Sequence, residues 1–73
     1  MNALDQARRI IAEALALPTD LAPMDGSMET LPEWDSIGHV RIVLAVEAAI
    51  GRPLPPDAML GAIDVPSVAA LLD

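Results

Sequence analysis

Seven prolines, Pro18, Pro23, Pro32, Pro53, Pro55, Pro56 and Pro66, decide what this chain of 73 residues can fold into. A proline lacks the backbone donor and clashes with the preceding turn, so a helix tolerates it only near its start. Residues 3–16 and 36–50 are left as the two segments free to form long helices. Between them, residues 17–35 carry Pro18, Pro23, Gly26 and Pro32 and form a long connection. Loops of that length are uncommon in a compact domain and are usually functional or anchored.

Apolar periodicity agrees with this division. Leu4, Ala7, Ile11 and Ala14 or Leu15 recur at helical spacing over 3–16, with Asp5, Arg8, Arg9 and Glu13 on the wet faces. Asn2 is the expected N-cap, and Pro18 marks the exit. In 36–50, Ile37, Val40, Leu44 and Ala48, joined by Val43 and Ile50, form the expected inward stripe, and Gly51 stops the helix. Asp57 is expected to cap a very short helix, Ala58 to Leu60, ended by Gly61. Asp64 is expected to cap a last helix, with Pro66 in its first turn and Val68, Leu71 and Leu72 pointing inward. Leu21, Met24, Met28, Leu31 and Trp34 are spaced through the long connection as anchors onto the core. No segment alternates as a strand does, and no repeat is visible. The expectation is one all-α domain over 1–73, a bundle of three main helices plus one short helix with a long first loop.

Hydrophobic residues make up 53% of the chain, with one Trp and no Phe or Tyr. Leu, Ile, Val, Ala and Met must therefore pack a small, adaptable core. Eleven acids against four arginines and no lysine give a net charge of −7. That balance speaks against nucleic acid and anionic membrane surfaces, which need basic side chains, and favours basic protein partners. With no cysteine, disulfides, thiolate metal sites and a cysteine nucleophile are excluded. One histidine and scattered acids supply no metal-site spacing. The start MNALDQARRI lacks the pattern of a signal peptide, and the longest apolar run, Ile42 to Val46, is too short for a bilayer. A cytoplasmic monomer with no membrane insertion is expected.

The chemistry centres on Trp34-Asp35-Ser36-Ile37-Gly38, which sets a serine at the start of the main helix after an acidic loop. Taken alone, Asp35 or Ser36 is an N-cap. The surrounding pattern is more specific. A short helix, a long loop, Asp35-Ser36-Ile37, a helix with Val40, Ile42 to Val46, Glu47 and Gly51, a proline-rich turn and a last helix after Asp64 over Val68 to Leu72 closely resemble the acyl carrier protein family. The resemblance covers essentially the whole chain.

What the resemblance implies is a non-enzymatic carrier. Ser36 would receive 4'-phosphopantetheine from coenzyme A by a magnesium-dependent phosphopantetheinyl transferase, with Asp35 assisting the transferase's metal site and Ile37 standing where leucine is more usual. A phosphodiester at a helix N-terminus gains from free N–H groups and the dipole. The second helix would dock on acyl- or aminoacyl-loading and acyl-transfer enzymes, with Val40, Arg41 and Glu47 as candidate contacts. Gly38, Arg41 and Ala48 occupy positions often acidic in fatty-acid carriers, which points to a specialised member with dedicated partners. Arg41 is equally readable as a surface residue paired with a nearby acid. Val40, Leu44, Val46, Met59 and Val68 are candidates for a pocket sheltering an acyl chain, the cargo being fatty, hydroxyacyl or polyketide-like. An aminoacyl or peptidyl carrier is the alternative within the family, and an unmodified helical interaction module the alternative outside it.

Three residues need separate weighing. Gly38 costs its helix about 1 kcal/mol relative to alanine, and either admits the arm or a partner closely or is merely tolerated near a helix end. His39 shares a helix face with Ser36, but a hydrolase dyad lacks an orienting acid and an oxyanion loop, so a solvated histidine near the partner surface is expected. Trp34 is expected to anchor the loop, the alternative being an exposed place beside the arm where a large apolar group helps docking.

Overall fold

The computed structural model describes residues 2–72, so positions 1 and 73 of the expected domain lie outside the described residues. Four helices follow in order: α1 (Ala3–Ala14), α2 (Ser36–Ile50), α3 (Pro56–Gly61) and α4 (Val65–Leu72). The fold is all-α, and no strand occurs among the described residues. One isolated antiparallel bridge joins Ser27 to Asp64.

Each helix begins and ends where local chemistry dictates. Asn2 caps α1 by accepting the Asp5 N–H at 2.8 Å, as expected. The helix stops at Ala14 rather than running to 16, because Leu15 closes it and Ala16 turns into the left-handed region at φ 54°. Asp35 caps α2, and Gly51 at φ 73° ends it with its N–H on the Glu47 carbonyl. Only glycine enters that conformation without a Cβ penalty. Helix α3 is longer than the expected 58–60. Pro55 precedes it with no side-chain cap, and Asp57 lies within its first turn rather than at its cap, because Pro56 already presets the helical φ. Asp64 caps α4 as expected. Its carboxylate accepts the Ser67 N–H at 2.9 Å while Ser67 Oγ accepts the Asp64 N–H at 3.1 Å, a reciprocal pair.

The core forms where α1 packs against α4 and α2. Ala7 and Ile11 of α1, Ile42 and Val46 of α2, and Val65 and Val68 of α4 are fully buried, and Trp34 joins them at 2% exposure. Leu4, expected inside, sits at the margin, and Leu71 and Leu72 are half-buried. The inward stripe of α2 differs from expectation. Gly38, Ile42, Val43 and Val46 face the core, whereas Ile37, Val40 and Leu44 are 66%, 55% and 59% exposed and Ala48 is exposed. The reason lies in Gly38. A Cβ there would stand 2.5 Å from the Glu33 carbonyl oxygen and 2.7 Å from Leu15, so only glycine lets α2 approach α1 and the loop this closely. Gly38 thus serves packing and is turned away from the surface where an arm or partner would lie.

The long connection is tied down by its backbone more than by the expected anchors. Arg8 Nε donates to the Ala22 carbonyl at 2.6 Å and the Ala22 N–H returns to the Arg8 carbonyl at 3.0 Å, so Arg8 is half-buried rather than on a wet face. Met28 N–H meets the Ile63 carbonyl at 2.8 Å, and Val65 N–H meets that of Gly26 at 3.2 Å. Among the anchors, Trp34 is buried, Leu21 and Leu31 are half-buried, and Met24 and Met28 are exposed. The small Ala22 takes a core place instead.

The capping bonds from Ser67, its side chain first and then its backbone N–H, hold the Asp64 carboxyl below its ordinary 3.8, against a smaller opposing effect of burial. A depressed carboxylate stabilises the fold above its unfolded pKa, and that contribution is lost as pH falls through the folded value. Asp64→Ala is therefore expected to lower stability by about 1 kcal/mol at neutral pH. In urea titrations the gap to wild type should narrow as pH drops below 3.8. A gap constant from pH 7 to strongly acidic pH would contradict the capping role.

Candidate functional site at the start of helix α2

Ser36 is the first residue of α2 and is exposed. Asp35 does the capping, its Oδ1 accepting the Gly38 N–H at 2.8 Å while its carbonyl accepts the His39 N–H at 2.8 Å. The cap is thus complete without Ser36, whose hydroxyl has no hydrogen-bond partner among the described residues. The N–H groups of Ser36 and Ile37 sit at the open, positive end of a 15-residue helix. An exposed serine hydroxyl and an anion-favouring backbone therefore share one corner.

From that corner an apolar face runs along α2. Ile37, Val40 and Leu44 stand outward one turn apart, with Arg41 exposed beside them. Arg41 has no ion-pair partner among the described residues, where Arg8–Asp5 at 3.9 Å is the single salt bridge. Glu47 is engaged internally, its Oε2 accepting the N–H of buried Leu54 at 2.8 Å. It therefore fastens the proline-rich turn to α2.

Beside this face lies an open groove of about 440 Å³, between His39, Val40, Val43, Leu44 and Glu47 of α2 and Met59 and Leu60 of α3. Of the sequence's pocket candidates, Val40, Leu44 and Met59 line it. Val46 and Val68 do not; they are fully buried in the packed core. Leu60, 78% exposed on α3, and His39 were absent from the expected lining, because the groove arises only when α3 folds back beside α2. A second hollow, of about 380 Å³, lies among Arg9, Glu13, Leu17 and Asp20 at the far end of α1. No cluster of three metal-ligating side chains occurs among the described residues.

His39 differs from the solvated residue expected. Trp34 Nε1 donates to its Nδ1 at 3.2 Å, and its Nε2 lies 2.8 Å from the Met59 carbonyl oxygen. Since a carbonyl only accepts, Nε2 carries the proton and Nδ1 is the acceptor, the two bonds fixing one neutral tautomer. The two rings lie edge to edge and nearly coplanar, with centroids 6.5 Å apart and planes at 20°. Both nitrogens are thereby engaged away from Ser36.

No family model, curated protein or solved structure matches the chain. Among the described residues no helix is long and apolar enough to cross a membrane.

Removing the Glu47 carboxylate leaves a buried-side N–H without its acceptor. Glu47→Ala is expected to cost about 1–2 kcal/mol in urea denaturation. A stability equal to wild type would mean that Glu47 is a solvated surface residue with no fastening role.

Proposed function

We propose that the chain is a carrier of the acyl-carrier type, holding acyl groups as thioesters on a 4'-phosphopantetheine arm attached to Ser36. The observation that carries this is the division of labour at the start of α2: Asp35 completes the cap, and the serine beside it is exposed with an idle hydroxyl. The cap is made without the Ser36 side chain, which leaves that hydroxyl available for modification. The arrangement of α1, a long anchored loop, α2, a short α3 and α4 supports an acyl-carrier-like bundle.

The residues present fit the arm. In a phosphopantetheinyl transferase, the Ser36 hydroxyl would form the phosphodiester while the nucleotide portion of coenzyme A leaves. The bound phosphate would lie against the free N–H groups of α2, where the helix dipole favours negative charge. Asp35 keeps its second carboxylate oxygen outside the cap bond, so capping and help to a transferase-bound magnesium are compatible. Once attached, the arm supplies the thiol that the cysteine-free chain lacks, activating the acyl group and keeping it tethered.

Ile37, Val40 and Leu44 would present an apolar docking strip next to the arm, with Arg41 as its charged marker. Partner enzymes of a lipid or secondary-metabolite pathway would meet the carrier there. The absence of an uncommitted acid on this strip supports a specialised carrier, and equally favours the aminoacyl or peptidyl alternative. Loading by acylating or adenylating enzymes separates the two.

The assignment is tested by intact mass spectrometry after incubation with coenzyme A, magnesium and a broad-specificity phosphopantetheinyl transferase. Wild type should gain one phosphopantetheine and Ser36→Ala none. No gain with several transferases would overturn the carrier in favour of an unmodified interaction module built on the same apolar strip.

A further inference from the structure

We infer that His39 is a latch that keeps α3 closed over the core, so that the α2–α3 groove shelters only short acyl chains; this rests on the carrier function proposed above. Helix α3 has no fully buried residue; only Ala58 and Met59 pack, half-buried, against the core, and its contacts with the other helices are sparse. Apolar contact alone therefore holds it weakly. What ties its middle to α2 is the bond from His39 Nε2 to the Met59 carbonyl at 2.8 Å. The ring has no freedom to let go. Its Nδ1 is held by Trp34 at 3.2 Å, edge to edge with the indole, and Trp34 is itself 2% exposed.

Ile42, Val46 and Val68, none of which lines the groove, belong to the closed core. A chain carried on Ser36 reaches them only if α3 swings away, which breaks the tie to Met59. With the latch in place the chain lies superficially against Val40, Leu44 and Leu60. The far end is also fixed, because the Glu47–Leu54 bond closes the turn there. On α2 the lining spans residues 39–47, about 12 Å along the axis. An extended chain of roughly eight to ten carbons fills that length. Further carbons stay in water or must pull α3 open.

The test loads wild type with butyryl, octanoyl, dodecanoyl and hexadecanoyl arms from the matching acyl-coenzyme A, using the transferase, and records melting temperature and chain-to-methyl contacts by NMR. In wild type the melting temperature should rise by several degrees from butyryl to octanoyl and then level off. The chain end should touch Val40, Leu44 and Leu60 but not Val46 or Val68. In His39→Ala the rise should continue to hexadecanoyl, and His39→Gln, which can still donate to the Met59 carbonyl, should restore the levelling. A merely structural His39 would lower every melting temperature equally and leave the length dependence unchanged, which overturns the latch. Wild type that keeps rising to hexadecanoyl with contacts at Val46 and Val68 overturns it too, as does a flat series from butyryl onward. The wild-type series decides even if His39→Ala does not fold. Absence of any loading is read separately by mass and overturns the Ser36 assignment together with the latch; loading with the wrong length dependence overturns the latch alone.

Discussion

Burial of Trp34 is the constraint on which the rest of the site depends. It is the chain's one aromatic residue, and at 2% exposure it is by far the largest side chain in a core otherwise built from aliphatic residues and alanine. A buried indole must satisfy its N–H, and here the partner is His39, on the first turn of the helix that follows. Two consequences follow from one bond. The end of the long loop is locked, so Asp35 arrives where it caps α2 and Ser36 is left exposed. The imidazole is locked as well, so its other nitrogen can hold α3 through Met59.

The surface around this corner contrasts with the charge of the whole. A chain of net −7 presents along α2 a strip of Ile37, Val40 and Leu44 whose one free-standing charge is Arg41. A basic partner would be attracted at long range by the acids elsewhere on the molecule, while contact at the strip itself would be apolar and so little screened by salt. The opposite face is occupied by Gly38, where α2 meets α1 and the loop too closely for any side chain. One helix thus carries a tight inner seam and a greasy outer face. Helix α3 is held mostly at its ends and by the His39 bond, the least buried element of the fold.

How far this was legible in the sequence depends on whether a feature is local. The limits of α2 followed from Asp35 and Gly51, because caps act within a turn of the residues that make them. Asn2 and Asp64 were equally readable. Which face of α2 turns inward was not. Apolar residues surround this helix nearly completely, so periodicity admits more than one stripe; the spacing Gly38, Ile42, Val46 was the signal, a small residue and two branched ones on one line. In the long loop, Met24 and Met28 looked like anchors but are exposed, because backbone bonds to Arg8, Ile63 and Val65 fix the loop without them. Of the site, Asp35 and Ser36 were legible as a pair. The roles of His39 and Leu60 were not, since both depend on where α3 comes to rest.

The fold spends the Asp35 side chain on the α2 cap and leaves the Ser36 hydroxyl without a hydrogen-bond partner among the described residues. The most direct measurement is the unfolding free energy of Ser36→Ala beside that of Asp35→Ala, from urea titration of the unmodified protein. Ser36→Ala should match wild type within about 0.5 kcal/mol. Asp35→Ala should lose about 1 kcal/mol or more. A loss at Ser36 as large as that at Asp35 would contradict this division, returning the serine to an ordinary role as a helix cap.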